Sequence, residues 1–289
     1  MVAEGLHSLL PRDLAAVPAA VPSALLAGRR VLTTGHESPD ADAIGSALGI
    51  ALALESLGAH VETVFADPVP AMYDFMPGVE RARVAVSEDL DPDLIVVCDG
   101  DLARTGTVLR DNAELFGRVP VVNIDHHVSN RGEHGTSWVD AEAAATCEQA
   151  TLLLPALGLG FDAAGGDIVQ LLTAGLVFDT ANFAHSKTTP RTLRVASELV
   201  AAGADLPMIA RRIYRTKPNA QLQLFGRALS RLETAADGRV AWSVVHEADY
   251  EAAGATQELA EGLIDLLAQS ATAEVAILFK DLGDVTRIS

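Results

Sequence analysis

Asp125, His126 and His127 close the apolar run 119–124, so an acid and two imidazoles stand together at what reads as the C-terminal end of a buried strand. Open α/β sheets bind their ligands at that edge. Each imidazole carries polar nitrogens that need partners. Two in succession therefore mean either metal or phosphate chemistry, or a hydrogen-bonded structural pair. Three further acid-bearing segments favour the first. His36, Asp40 and Asp42 crowd the short stretch between an apolar strand and a helix rich in small residues. Carboxylates one residue apart repel unless a cation neutralises them. A helix cap would account for one of these aspartates but leaves His36 unexplained. Asp99 ends the run Leu94, Ile95, Val96, Val97, Cys98, as a turn residue or as a ligand, with Asp101 as a competitor. Asp179 lies late in an apolar helix, where the helix dipole disfavours an acid and burial without a counter-charge is costly.

Mostly oxygen donors with a minority of imidazole suit Mn²⁺ or Mg²⁺ better than zinc. The expected cofactor is Mn²⁺, with Mg²⁺ a weaker substitute because it keeps its waters and demands stricter octahedral geometry. Enough carboxylates are present for two ions sharing a bridging acid. Such a pair, roughly 3.5–4 Å apart, holds a hydroxide and clamps a phosphoryl oxygen for in-line attack on phosphorus. No Walker loop, Gly-x-Ser-x-Gly elbow or complete Gly-x-Gly-x-x-Gly occurs to offer a different chemistry. The residues alone thus point to a metal-dependent phosphoesterase.

The elements that must position these groups follow from hydrophobic pattern. Strand 31–35, helix 43–57 and strand 60–65 form a βαβ unit, whose crossover implies parallel strands. Runs 94–98 and 119–124 are apolar throughout, as strands covered on both faces should be. Segments 147–157 and 167–178 are helical by period and length. Helices 189–202, with Thr188 as cap and Pro190 near its start, and 206–214 come next. Strand 240–246, helix 257–269 and strand 273–280 then form a different pattern. Residues 285–289 open a hairpin strand after a Gly283-Asp284 turn. The expected fold class is α/β: a parallel-sheet catalytic domain over residues 24–188, a helical linker over 189–231, and a smaller, partial α+β domain over 232–289.

Bulk properties bound the rest. A chain of 289 residues suits two domains. Its core must come from Ala, Leu, Val and Ile, since hydrophobic content is 49% but aromatics only 4%. No membrane partner is expected: the apolar stretch 47–54 closes at Glu55, short of the roughly 20 residues a span needs. Segment 15–26 holds Pro18 and Pro22 with no basic cluster before it, and reads as a capping segment, not a signal peptide. Cys98 and Cys147 read as reduced core residues of a cytoplasmic protein. The net charge of −18 argues against a long duplex nucleic-acid partner, which needs a basic track. Bound divalent cations would offset that charge for a small phosphate ester.

In order and spacing, the four segments resemble the motifs of the DHH phosphoesterase superfamily. His36, Asp40 and Asp42 match its His-x-x-x-Asp-x-Asp motif, and Asp125, His126 and His127 its name-giving triplet. The layout is similar to the bacterial oligoribonuclease and 3′-phosphoadenosine-5′-phosphate (pAp) phosphatase branch, with its DHHA1-type second domain. That branch includes enzymes that degrade cyclic di-AMP or its linear product pApA. The resemblance implies a short oligonucleotide or nucleotide substrate, and leaves monomer or homodimer open. It assigns His36, Asp40 and Asp99 to a first metal, and Asp42, Asp99, His126 and Asp179 to a second, with Asp99 bridging. His127 and Arg104 would face the substrate phosphate, and Asp125 would support the site from behind. Two departures stand out. Ala181 occupies a position where glycine is common, and the branch's nucleotide-holding Gly-Gly-His segment does not occur before Ser289, as in a family member cut short in its second domain. The alternatives are a pyrophosphatase or exopolyphosphatase of the same superfamily, and a nucleotide-binding regulatory module without turnover. The pyrophosphatase Ser-Arg-Lys-Lys-Gln stretch is missing from this sequence.

Overall fold

Parallel strands with apolar side chains on both faces must be covered twice, and the first unit of the chain is built this way. The computed structural model describes residues 9–283 and 285–289, and the chain divides after Arg215 into two compact units. In the first, the elements run β1 (Arg30–Thr34), α1 (Ala41–Ser56), β2 (His60–Thr63), β3 (Leu94–Cys98), β4 (Val121–Asp125), β5 (Thr136–Val139), α2 (Thr146–Ala156), α3 (Asp167–Asp179), α4 (Pro190–Ala201) and α5 (Leu206–Tyr214). The sheet order is β2-β1-β3-β4-β5, all parallel. Val31, Val96, Cys98, Val122 and Ile124 face the larger core with α1, α2 and α3. Leu32, Ile95, Val97 and Val121 face a smaller one. Val21 and Leu25, from the short helix Ala20–Ala27, are buried in the larger core.

The chain order reverses between β1 and β3, which makes their C-terminal ends the switch point where such sheets open a crevice. Helices α1 and α3 pack so closely that a methyl group at Gly175 would sit 2.4 Å from Cys147 Sγ and 2.7 Å from Asp42 Oδ1. A glycine inside an apolar helix is explained here by contact, not by flexibility.

The second unit, Thr216–Ser289, contains α6 (Asn219–Leu229), β6 (Glu233–Ala235), β7 (Val240–Val245), α7 (Glu247–Ala253), α8 (Leu263–Leu267), β8 (Val275–Asp281) and β9 (Thr286–Ile288). Its sheet order is β6-β7-β8-β9; β7 and β8 are parallel and the outer pairs antiparallel. Leu224, Phe225, Val245, Leu263 and Leu278 fill its core.

Several boundaries differ from the pattern reading. The single helix expected at 257–269 is a 3-10 turn, Gln257–Ala260, followed by α8, because Gly262 takes φ +80° between them. Thr189, not Thr188, caps α4: its hydroxyl accepts from Thr192 N at 3.3 Å. Strand β5 was not expected; it is a short edge strand whose Thr, Ser and Trp lack an apolar run. The expected Gly283-Asp284 turn falls on Asp284, outside the described residues, although β9 does pair with β8.

The Gly175 contact predicts that Gly175→Ala costs about 1–3 kcal/mol through overpacking, and that it displaces Asp42. Calorimetric unfolding of the variant should show this loss, and an unchanged melting temperature would contradict the packing account.

Candidate metal centre

Three strand ends and two helices deliver the acids to one place. Asp40 is the N-cap of α1; its Oδ1 accepts from Asp42 N at 2.9 Å and Ala43 N at 3.1 Å. The cap reading and the cluster reading thus hold together for this residue. Two residues further on, in the first turn of α1, Asp42 is fully buried. Its carboxylate accepts from the backbone N–H groups of Thr146 at 2.7 Å and Cys147 at 2.9 Å. Those amides open α2, where the helix dipole favours an anion. Asp99 follows β3 with φ +60°, a left-handed conformation that aspartate tolerates better than most residues. It accepts from Thr146 Oγ1 at 3.1 Å. Asp101 lies outside the cluster and caps the 3-10 turn Leu102–Thr105, accepting from Arg104 N. That resolves the choice between the two in favour of Asp99 as the converging acid.

The imidazoles are held from behind. His36 Nδ1 donates to Glu37 O at 2.7 Å, which leaves Nε2 facing Asp40 Oδ2 and Asp99 Oδ2 at 3.5 Å each. His126 Nε2 lies 3.0 Å from Asp179 Oδ2, 3.4 Å from Asp99 Oδ1 and 3.9 Å from Asp42 Oδ2. Among the described residues neither ring nitrogen of His126 makes an aligned hydrogen bond, although both are buried. Three carboxylates lie within ion-pair range of one nitrogen, but none is aligned for a hydrogen bond to it.

His127 is turned elsewhere. Asp125 Oδ1 accepts from His126 N at 2.8 Å, His127 N at 3.1 Å and His127 Nδ1 at 2.8 Å, while its Oδ2 accepts from Asn130 Nδ2 at 2.8 Å. Asn130 Nδ2 also donates to Asn123 Oδ1, and Asn123 Nδ2 donates to the Val97 and Gly100 carbonyls. With Nδ1–H committed to Asp125, His127 presents Nε2 outward, 3.3 Å from Arg104 Nη1. Its side chain is 34% exposed, against 8% for His126. One imidazole belongs to the buried cluster and the other to its rim.

The charges report the same crowding. Burial pulls the His36 imidazole down, but Asp40 and Asp99 outweigh it and push it up to about 10. For His126, Asp179, Asp99 and Asp42 likewise overcome burial and push it up to about 11. Burial, then Asp99 and Asp179, raise Asp42 well above the usual carboxylate range. Burial is opposed at Asp99 by His126 and His36, which hold it low. Asp179 is raised by burial first, and by Asp99 and Asp40.

The donor set fits divalent cations. His36, Asp40 and Asp99 present ligand atoms within 4.8 Å of one another, and so do Asp42, His126 and Asp179. Asp99 faces both imidazoles, from different oxygens. His127, with Asp99 and His126, also meets that spacing, but its Nδ1 proton is already given to Asp125.

Thr146, Asn123, Asn130 and Gly175 were not singled out by sequence reasoning. Two signals existed: an asparagine inside an otherwise apolar strand, and a glycine inside an apolar helix.

The N-terminal domain of the DHH family matches residues 30–200. The chain belongs to the DHH family. This is a family of metal-dependent phosphoesterases. The bifunctional oligoribonuclease and PAP phosphatase NrnA of Thermus thermophilus is 36% identical over 195 residues, 68% of this chain and 56% of that relative. The protein of the same name from Bacillus subtilis is 26% identical over 88% of this chain and 78% of its own. The chain thus spans little more than half the length of the first of these. An exopolyphosphatase-related protein from Bacteroides fragilis superimposes with a TM-score of 0.84 at 19% identity, covering 98% of this chain and 83% of that one. At that identity the likeness is one of fold. Among the described residues, no helix is long and apolar enough to cross a membrane.

Metal and proton must compete here. Both cluster imidazoles are charged at neutral pH without a cation, since their values lie near 10 and 11, and a metal takes the neutral ring. Cation affinity should therefore rise with pH, by up to about tenfold per unit for each proton displaced. Mn²⁺ titrations between mildly acidic and mildly alkaline pH measure the slope, and a flat affinity would contradict it.

Proposed function

We propose that this chain hydrolyses phosphate esters of short oligoribonucleotides or small nucleotides such as pAp, pApA or cyclic di-AMP, using two Mn²⁺ ions. The observation that carries this reading is the pair of buried donor groups with Asp99 between them. His36, Asp40 and Asp99 would hold one cation; Asp42, Asp99, His126 and Asp179 would hold the other. Bound there, the cations supply Lewis-acid polarisation of a phosphoryl oxygen and an acidified water.

The chain's own residues do the rest. Arg104 and His127 stand together on the exposed side of the cluster, 3.3 Å apart, and offer donors to a phosphate. Asp125 fixes the His127 ring through Nδ1 and stabilises it when both nitrogens are protonated, as an acid behind a catalytic imidazole does. His127 Nε2 can then give a proton to a phosphoryl or leaving oxygen. The names of the NrnA relatives support nucleotide substrates for this site.

Metal-stripped protein should be inactive toward pAp, pApA and short oligoribonucleotides and recover with Mn²⁺, less fully with Mg²⁺. His126→Ala should lower both Mn²⁺ occupancy and rate. By contrast, His127→Ala should keep the metal but lose roughly 10²–10³ in kcat. Preferred turnover of pyrophosphate in the same assay would transfer the chain to the pyrophosphatase reading, and normal turnover by His127→Ala would refute the role given to that ring.

A further inference from the structure

Behind the cluster lies an ion-pair assembly that, among the described residues, makes no hydrogen bond or ion pair to the proposed ligands. Glu148, in the first turn of α2, is completely buried. Its Oε1 accepts from Arg191 Nε at 2.5 Å, and its Oε2 from Thr192 Oγ1 at 2.7 Å and Ala144 N at 3.3 Å. Arg191 reaches on to Asp140 as an ion pair, with Nη2 2.8 Å from Oδ2 but not aligned for a hydrogen bond. Arg191 sits in the first turn of α4, the end of a helix where a cation is disfavoured. Glu148 and Asp140 are what hold it there.

The three charged side chains tie together the segments that shape the cluster. Asp140 follows β5, and its N–H donates to Asp125 O at 2.9 Å. Glu148 lies one residue beyond Cys147, whose amide, with that of Thr146, holds the Asp42 carboxylate; Thr146 Oγ1 holds Asp99. A small shift of the 140–148 segment would move donors to both acids at once.

Resting on the metal-centre reading above, we infer that Glu148, Arg191 and Asp140 form a clamp of positioning residues, which sets the start of α2 so that Asp42 and Asp99 are aimed before a cation arrives. Buried ion pairs add little net stability over apolar packing, and their better-attested use is to fix one geometry. Partners that orient ligands from outside typically cost 10–100-fold in metal affinity when removed.

The test is Mn²⁺ affinity, read from free Mn²⁺ by electron paramagnetic resonance in metal-stripped wild type, Glu148→Gln, Arg191→Gln, Arg191→Lys and Asp140→Asn, with unfolding temperature measured in parallel. Glu148→Gln and Arg191→Gln should bind Mn²⁺ about 10-fold more weakly or worse while still folded. Arg191→Lys, which keeps the charge but loses the two-sided reach, should fall between these and wild type. Should the variants at the buried pair fail to fold, Asp140→Asn at the more exposed end decides, and is expected to weaken binding several-fold. Variants that unfold earlier but bind Mn²⁺ as tightly as wild type would overturn the clamp and leave it a structural ion pair. A wild type that binds no Mn²⁺ would instead overturn the metal centre itself.

Discussion

Asp42 and Asp99 are buried to within 1% of complete exclusion from water, and both lie close to one His126 nitrogen that Asp179 approaches as well. The ligand atoms of each group lie within 4.8 Å of one another, and at that separation two like charges repel by roughly 3 kcal/mol at an effective dielectric of about 20. A whole domain is stable by only about 5–15 kcal/mol. Several such pairs would consume that margin, so the fold has to bring positive charge to this point. Part of it comes from the α2 amides on Asp42, and part from His36 and His126 as imidazolium. Divalent cations concentrate more charge in the same space, and they do so without needing a proton.

That requirement explains features of the scaffold that lie away from the site. The acids converge because the chain order reverses between β1 and β3, which opens the sheet edge at their C-terminal ends. Asp42 and Asp179, on different helices, meet because Gly175 lets α1 and α3 approach to contact distance. The rim is built separately: Asp125, anchored through Asn130 and Asn123 to the Gly100 turn, orients His127 beside Arg104. Under the proposed function, binding of cations and handling of a phosphate would fall to neighbouring but distinct sets of side chains.

Much of this was legible in the sequence because polar groups were placed where apolar ones would be easier to bury. Acids at the ends of apolar strands and helices, and paired histidines, stand out against runs such as Leu94–Cys98. The parallel sheet followed from the same runs. What could not be read were relations made only in three dimensions. Thr146 looks like an ordinary helix-start residue, yet it serves Asp42 through its amide and Asp99 through its hydroxyl. Arg191 and Glu148 are 43 residues apart and carry no local sign of pairing. Strand pattern alone left Asp99 and Asp101 open and only the resemblance favoured Asp99; in the fold Asp99 joins the cluster and Asp101 caps a 3-10 turn. In the second unit, Gly262 broke an expected helix because a left-handed residue interrupts what hydrophobic period alone would continue.

The central claim is that two cations share Asp99. Anomalous diffraction at the manganese absorption edge, from crystals of the metal-stripped protein soaked in Mn²⁺, tests it directly. Two peaks should appear, one bounded by His36, Asp40 and Asp99 and the other by Asp42, Asp99, His126 and Asp179, with His127 touching neither. A single peak, or peaks away from Asp99, would contradict the account.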